Sequence, residues 1–262
     1  MKIATILPFK HLSLEAGSDY HMFLAHLMDN PEYAAFAKWQ AARGAFTMLD
    51  NGVVETGVPL HIYQLMRLAK DCGITEMTLP DKINDRVETR QLHSSAMEML
   101  ENYNPGQKVM VIPQGATRSE WVESVIDMLA LAHEYPKQIT AIGISKFCVN
   151  KTREDLRSKL FDSRLEALKA MPKSSSLKLD IHLLGCPDHP NEINQIRWAC
   201  PRVRGVDSGL PVFYTLHDLE LTESSTRPVG KELNFNAEFK AECLTLLKHN
   251  ISTWKALINP PR

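Results

Sequence analysis

A chain of 262 residues that is 44% hydrophobic and 23% charged can bury a sizeable core, which excludes wholesale disorder. Its 30 basic and 31 acidic side chains nearly cancel. This excludes a protein that coats nucleic acid with one basic surface, though it leaves room for a local basic patch.

The first apolar run, Lys2–Leu7, stops at Pro8 and Lys10. It is too short for the apolar region of a signal peptide, and no stretch approaches the roughly 18 apolar residues of a membrane span. A cytoplasmic protein with no membrane partner is expected. Further short β-like runs follow at Ala45–Leu49, Glu76–Leu79, Val109–Ile112, Thr140–Ile144, Leu179–Leu184 and Val203–Val206, with an eighth around Val212–Leu216. Between them, His61–Asp71, Val87–Asn102, Ser119–His133 and Asp155–Ala170 carry apolar residues at helical spacing. In the third of these, Trp121, Val125, Met128, Leu129 and Ala132 share one face. A last helix is expected over about Ala237–Ala256, and Glu220–Lys231 and the Lys173–Ser176 patch read as loops.

Short strands apolar on both faces, each followed by a helix, indicate a parallel sheet covered by helices. Eight such units predict one (β/α)₈ TIM barrel with insertions over residues 1–262. A doubly wound open sheet is disfavoured because no G-x-G-x-x-G follows the first strand. The five cysteines (Cys72, Cys148, Cys186, Cys200 and Cys243) include no Cys-x-x-Cys pair, so reduced core thiols are expected and no zinc-binding subdomain is.

In a barrel the chemistry collects where strands run into βα loops. Those positions here hold Asp50-Asn51-Gly52, Pro80-Asp81, Gln114-Gly115, Gly143-Ile144-Ser145, Gly185 and Gly205-Val206-Asp207. Carboxylates, an amide and glycines therefore converge on one face, where glycine lets a flat ligand approach the backbone. A carboxylate with a carboxamide suits a heterocycle with donor edges, such as guanine. Carboxylate-only chemistry suits displacement at an anomeric carbon, one group acting as nucleophile and another moving the proton. His182 lies in an apolar run and reads as a satisfied core histidine. His61, His93 and His189 read as surface or cap residues, and Met97, Met99, Met110 and Met128 as core packing.

With these motifs in chain order (MLDNG at Met48–Gly52, TLPD at Thr78–Asp81, IPQG at Ile112–Gly115, AIGIS at Ala141–Ser145, HLLG at His182–Gly185, RGVD at Arg204–Asp207), the sequence resembles the tRNA-guanine transglycosylase superfamily. The resemblance implies that Asp50, beside Asn51 and Gly52 of the base pocket, is a general acid/base. It implies that Asp81 recognises the guanine edge and that Gln114 with Gly115 reads the purine carbonyl. Gly143 would line the pocket, Leu184 and Gly185 would form its wall, and Asp207 would lie in the nucleophile segment.

The sequence departs from the tRNA branch in several places. That branch carries Gly-(Val/Ile)-Asp-Met-Phe-Asp with the second aspartate as nucleophile, whereas this chain reads Gly205-Val206-Asp207-Ser208-Gly209-Leu210. Asp207 is then the carboxylate left for the role. Val54 stands near the place of a stacking aromatic, and the Lys146–Asn150 region lacks the glutamate that selects an aminomethyl group. The Cys-x-Cys-x-x-Cys zinc motif is not found, and neither are the arginines that follow the nucleophile. The chain is most similar to the branch that exchanges guanine in phage or bacterial DNA for a 7-deazaguanine base.

The expected partners are therefore DNA and a 7-deazaguanine, with no cofactor or metal and with a homodimer or a partner subunit left open. Phosphate contacts are expected from Lys151, Arg153, Arg157 and Lys159, and from Arg197, Arg202 and Arg204. Two alternatives stand beside this reading. One is a tRNA enzyme working with a partner subunit, and the other is a non-catalytic subunit that has lost the nucleophile.

Overall fold

The computed structural model describes residues 1–149, 160–172, 178–185, 190–225, 228 and 233–260. Lys151, Arg153, Arg157, Lys159, Cys186, His189 and the Lys173–Ser176 patch lie outside the described residues.

Eight parallel strands form the barrel: β1 (Lys2–Thr5), β2 (Tyr20–Leu24), β3 (Phe46–Asp50), β4 (Glu76–Thr78), β5 (Lys108–Val111), β6 (Ile139–Ser145), β7 (Asp180–Leu184) and β8 (Val203–Ser208). The hydrogen-bonded order runs β1-β8-β7-β6-β5-β4-β3-β2. β1 and β2 then lie side by side and close the circle. Around it stand α1 (Pro31–Ala42), α2 (Val53–Thr56), α3 (Ile62–Cys72), α4 (Arg86–Tyr103), α5 (Arg118–Glu134), α6 (Arg164–Ala170), α7 (Pro190–Ala199), α8 (Leu210–Leu216) and α9 (Ala241–Ile258). This is a (β/α)₈ TIM barrel. No described helix is long and apolar enough to cross a membrane.

Side-chain chemistry explains where the helices begin. Asn30 Oδ1 accepts from the backbone N–H groups of Glu32 and Tyr33 at the start of α1. The side chains of His61, Asp85 and Thr117 do the same for α3, α4 and α5. On α5, Trp121, Val125, Met128 and Ala132 are buried as their spacing predicts. Met97, Met110 and Met128 are buried in the core. Cys72 and Cys148 are buried free thiols, and Cys200 and Cys243 are partly buried.

One expectation about elements is corrected. The eighth strand is Tyr20–Leu24, whereas the apolar run Val212–Leu216 belongs to α8. Pro211 lies in its first turn, and all but the last of its residues are buried. A short run that is apolar on every side looks the same whether it is a buried strand or a buried helix. His93 is also corrected from a surface residue to a fully buried one, and burial pushes its pKa down to about 3.

Inside the barrel, Ala4, Ile6, Tyr20, Met22, Leu24, Met48, Met110 and Ala141 form a cluster separate from the larger core under the helices. At its lower end Arg204 makes an ion pair with Glu76, which is fully buried at the start of β4. Arg204 Nη1 also donates to Glu76 Oε2 at 3.0 Å, and Arg204 Nε donates to the Tyr20 hydroxyl at 3.1 Å. Arg204 was expected to contact nucleic acid. It is instead an interior residue of the end of the barrel opposite the βα loops, because Glu76 requires a cation there. Leu233 and Phe235 pack on the interior cluster from the C-terminal segment, and Phe235 O accepts from Phe9 N. They cap the mouth near β1 and β2.

Candidate active site

The C-terminal ends of β3 to β8 surround a cavity lined by Asp50, Asp81, Gln114, Leu184, Gly185 and Asp207. All six were expected at the site, and the barrel brings them together.

The turn after β3 explains the Asp-Asn-Gly sequence. Gly52 has φ +79°, a left-handed conformation that glycine adopts without strain, and it starts α2. Its N–H donates to Asp50 Oδ2 at 3.0 Å, and Val53 N–H donates to Asn51 Oδ1 at 3.0 Å. Asn51 is fully buried behind the cavity and is not part of its lining. Its Nδ2 donates to Leu79 O at 2.7 Å and to Asp81 Oδ1 at 2.6 Å.

Asp81 is held from the other side as well, because Gln114 Nε2 donates to its Oδ2 at 2.6 Å. Gln114 is fixed in turn: its Oε1 accepts from Asn84 N and its backbone N–H donates to Ser124 Oγ. An amide nitrogen carries two hydrogens, so Gln114 Nε2 keeps one beyond the bond to Asp81. Burial raises the Asp81 pKa to about 6, against the opposing pull of the Asn51 and Gln114 hydrogen bonds.

Asp50 is raised further, to about 8, first by burial and then by the charges of Glu55, Asp207 and Asp81. The Gly52 N–H opposes this shift. At neutral pH Asp50 is therefore mostly a protonated acid beside three other carboxyl groups. Asp207 sits across the cavity. Its Oδ1 accepts from Gly185 N at 3.0 Å and lies 3.1 Å from His182 Nε2. Gly185 presents that N–H with φ +66°. No hydrogen bond from a described residue reaches Asp207 Oδ2.

The remaining glycines serve the site from behind. A Cβ on Gly143 would lie 2.7 Å from Leu184 Cδ1 and 2.9 Å from Met110 Sδ, so glycine lets the Leu184 wall settle under the cavity. A Cβ on Gly115 would lie 2.5 Å from Trp121 N. Gly115 is thus required by the close approach of α5.

Sequence reasoning missed Glu55 and Lys146, which both line the cavity. Burial raises the Glu55 pKa, with Lys146 opposing. Glu55 follows Asn51 by one helical turn, and Lys146 directly follows β6, so spacing and strand-end position were the available signals. Val54 also reaches the cavity rim. No cluster of three or more His, Cys, Asp or Glu side chains with metal-holding geometry occurs among the described residues.

No known family model and no curated protein matches the chain. Among solved structures, the chain is similar to a Pseudomonas aeruginosa protein named as a dihydrodipicolinate synthetase. The TM-score is 0.45 at 12% identity, over 81% of this chain and 71% of that one. It is also similar to a truncated 3-deoxy-D-arabino-heptulosonate 7-phosphate synthase from Thermotoga maritima, with a TM-score of 0.45 at 13% identity, over 96% and 85%. The strand order itself defines the class: a parallel barrel with an acidic cavity at the C-terminal ends of its strands.

Proposed function

We propose that the cavity binds a guanine-type base, and that the chain is a transglycosylase exchanging guanine in DNA for a 7-deazaguanine. The reading is carried by the Asp81–Gln114 pair, whose carboxylate and amide are locked together at 2.6 Å in the cavity wall. A carboxylate beside an amide N–H offers acceptors next to a donor. Guanine offers the reverse along one edge, N2–H and N1–H beside the O6 carbonyl. A 7-deazaguanine has that same edge, so one pocket serves the departing and the arriving base.

In the proposed first step Asp207 Oδ2 attacks C1′ of the target deoxyguanosine. The C1′–N9 bond breaks with its electrons on the base, and Asp50 supplies the proton that releases neutral guanine. The 7-deazaguanine then enters. Asp50, now a carboxylate, takes its N9 proton while N9 forms the bond to C1′ and the Asp207–C1′ bond breaks. Asp50 ends protonated and Asp207 ends ionised, as both began. The target base must leave the helix stack at a cost of a few kcal/mol, which contacts to Asp81 and Gln114 offset. DNA is favoured over tRNA by Ser208-Gly209-Leu210, which stands where the tRNA branch carries Met-Phe-Asp after its first aspartate.

The test incubates the protein with labelled guanine and either duplex DNA or tRNA. Label is expected in DNA, and Asp207→Asn is expected to abolish it together with any protein–DNA adduct on a denaturing gel. Label in tRNA alone would reassign the polynucleotide. Label in neither, or full activity in Asp207→Asn, would overturn the reading.

A further inference from the structure

Behind Asp207 lies a hydrogen-bonded chain that the proposed reaction does not itself require. Asp207 Oδ1 meets His182 Nε2 at 3.1 Å, His182 Nδ1 meets the Tyr20 hydroxyl at 2.8 Å, and that hydroxyl accepts from Arg204 Nε at 3.1 Å. Arg204 is paired with Glu76, which also accepts from Thr140 Oγ1 at 2.6 Å. The chain crosses the barrel from β4 to β8, β2 and β7 and ends at the cavity. His182 is completely buried, and its neighbour across the sheet on β6 is Gly143, which carries no charge.

The order of donors along this chain is fixed by chemistry. A guanidinium only donates, so the Tyr20 oxygen accepts from Arg204. The phenolic hydrogen then needs an acceptor of its own, and His182 Nδ1 is the one within hydrogen-bonding distance among the described residues. Burial raises the Tyr20 pKa, so the phenol keeps that hydrogen. With Nδ1 accepting, the ring proton sits on Nε2 and points at Asp207 Oδ1.

We infer that Tyr20 and His182 are positioning residues for Asp207: Tyr20 selects the Nε2–H tautomer of His182, which with Gly185 N–H anchors Oδ1 and turns Oδ2 to the cavity. This rests on the proposed role of Asp207 as nucleophile. Glycine at position 205 belongs to the same device. β8 shifts register against β7 there, and a Cβ on Gly205 would lie 2.6 Å from Tyr20 Cε1 and 2.8 Å from its hydroxyl oxygen. Only a residue without a side chain leaves the Tyr20 ring in reach of His182.

The experiment has two arms. In the first, ¹⁵N NMR of the full chain labelled at histidine reads the His182 tautomer without any substrate. At pH 7 the wild type is expected to show a protonated Nε2 and a bare Nδ1, and Tyr20→Phe, which leaves the Asp207 carboxylate alone to hold that tautomer, is expected to weaken the preference. An Nδ1–H tautomer or an imidazolium in the wild type overturns the inference, whatever the protein catalyses. In the second arm, base exchange is measured in variants whose folding is checked by thermal unfolding. His182→Phe is expected to lower kcat on the order of 10²-fold, the scale of a small misplacement of reacting atoms, with KM for the base unchanged. His182→Gln, which keeps an N–H near the Nε2 position, is expected to recover part of that loss. A folded His182→Phe with wild-type kcat overturns the inference while leaving the transglycosylase reading intact. A wild type that exchanges no base overturns that reading, and the NMR arm still decides the tautomer.

Discussion

Asn51 Nδ2 lies 2.6 Å from Asp81 Oδ1, so the turn after β3 and the loop after β4 are joined by one carboxamide–carboxylate hydrogen bond. The same nitrogen holds Leu79 O. Asn51→Ala removes both bonds and leaves two buried acceptors without that donor. A loss of about 2–4 kcal/mol in urea unfolding is expected. Base affinity is expected to fall as well, because Asp81 then keeps only the Gln114 clamp. Unchanged stability in this variant would mean that Asp81 is held by other means.

Exchange activity is expected to be bell-shaped in pH. Asp81 accepts from the base edge only when ionised, so KM for the base rises as pH falls below about 6. Asp50 donates only when protonated, so kcat falls as pH rises above about 8. Asp50→Asn is expected to abolish the alkaline limb along with most of kcat. An alkaline limb that persists in residual Asp50→Asn activity would assign that limb to another group.

Folding stability should carry the same signature. Asp50 is a carboxyl group raised in the folded chain, so between the ordinary carboxylate value near 4 and about 8 the native state holds a proton that the unfolded state has lost. Its contribution therefore makes the protein less stable as pH rises through that window. Urea midpoints at pH 5, 7 and 9 are expected to fall less steeply in Asp50→Asn than in wild type. Identical slopes would contradict the raised pKa.

The Arg204–Glu76 pair at the closed end of the barrel should be unforgiving of a single change. Glu76→Gln leaves the interior guanidinium with only the exposed Asp180 carboxylate, 3.7 Å from Nη1, as counter-charge, and a cost of about 3–5 kcal/mol is expected in chemical denaturation. Replacing both residues by apolar ones of similar volume is expected to recover much of that loss. Recovery would separate the charge imbalance from a need for the pair itself.

Gly205→Ala places a methyl group 2.6 Å from the Tyr20 ring, and a loss of about 1–3 kcal/mol is expected. A methyl group on Gly17 would meet no heavy atom within 4 Å, and the backbone there is not left-handed. Gly17→Ala is expected to change stability by less than about 0.5 kcal/mol. Equal effects at both positions would remove the steric account of Gly205.

Most of the barrel is legible in the sequence because a strand covered on both faces is a short, largely apolar run, and the Asp-Asn-Gly and Gln-Gly pairs mark where such runs turn. The same property hides two elements. Tyr20–Leu24 is interrupted by His21, which is buried and stacked on Phe23, so its strand character depends on tertiary cover. Val212–Leu216 is equally apolar, and Pro211 was the local sign of a helix. Arg204 was misread for a related reason. An arginine looks solvent-facing by type, and only the placement of Glu76 128 residues earlier in the sequence makes an interior position tolerable. In the site, the cavity-facing carboxylates followed from strand-end position. Asn51 and Gly115 followed only as neighbours, because what a side chain orients behind a pocket depends on the strand next door.

The first strand takes its backbone ladder from the last: Lys2 to Thr5 run beside Gly205 to Ser208, while no ladder joins β1 to β2. During synthesis β1 must therefore wait for about 200 more residues before its partner exists. At 5–20 residues per second that is roughly 10–40 s. Over that time a strand that ends up paired and covered stays an open edge, the kind of surface that invites pairing with another chain. The strand that carries Asp207 is thus also the clasp of the barrel, and the cavity cannot be assembled until synthesis has passed Ser208.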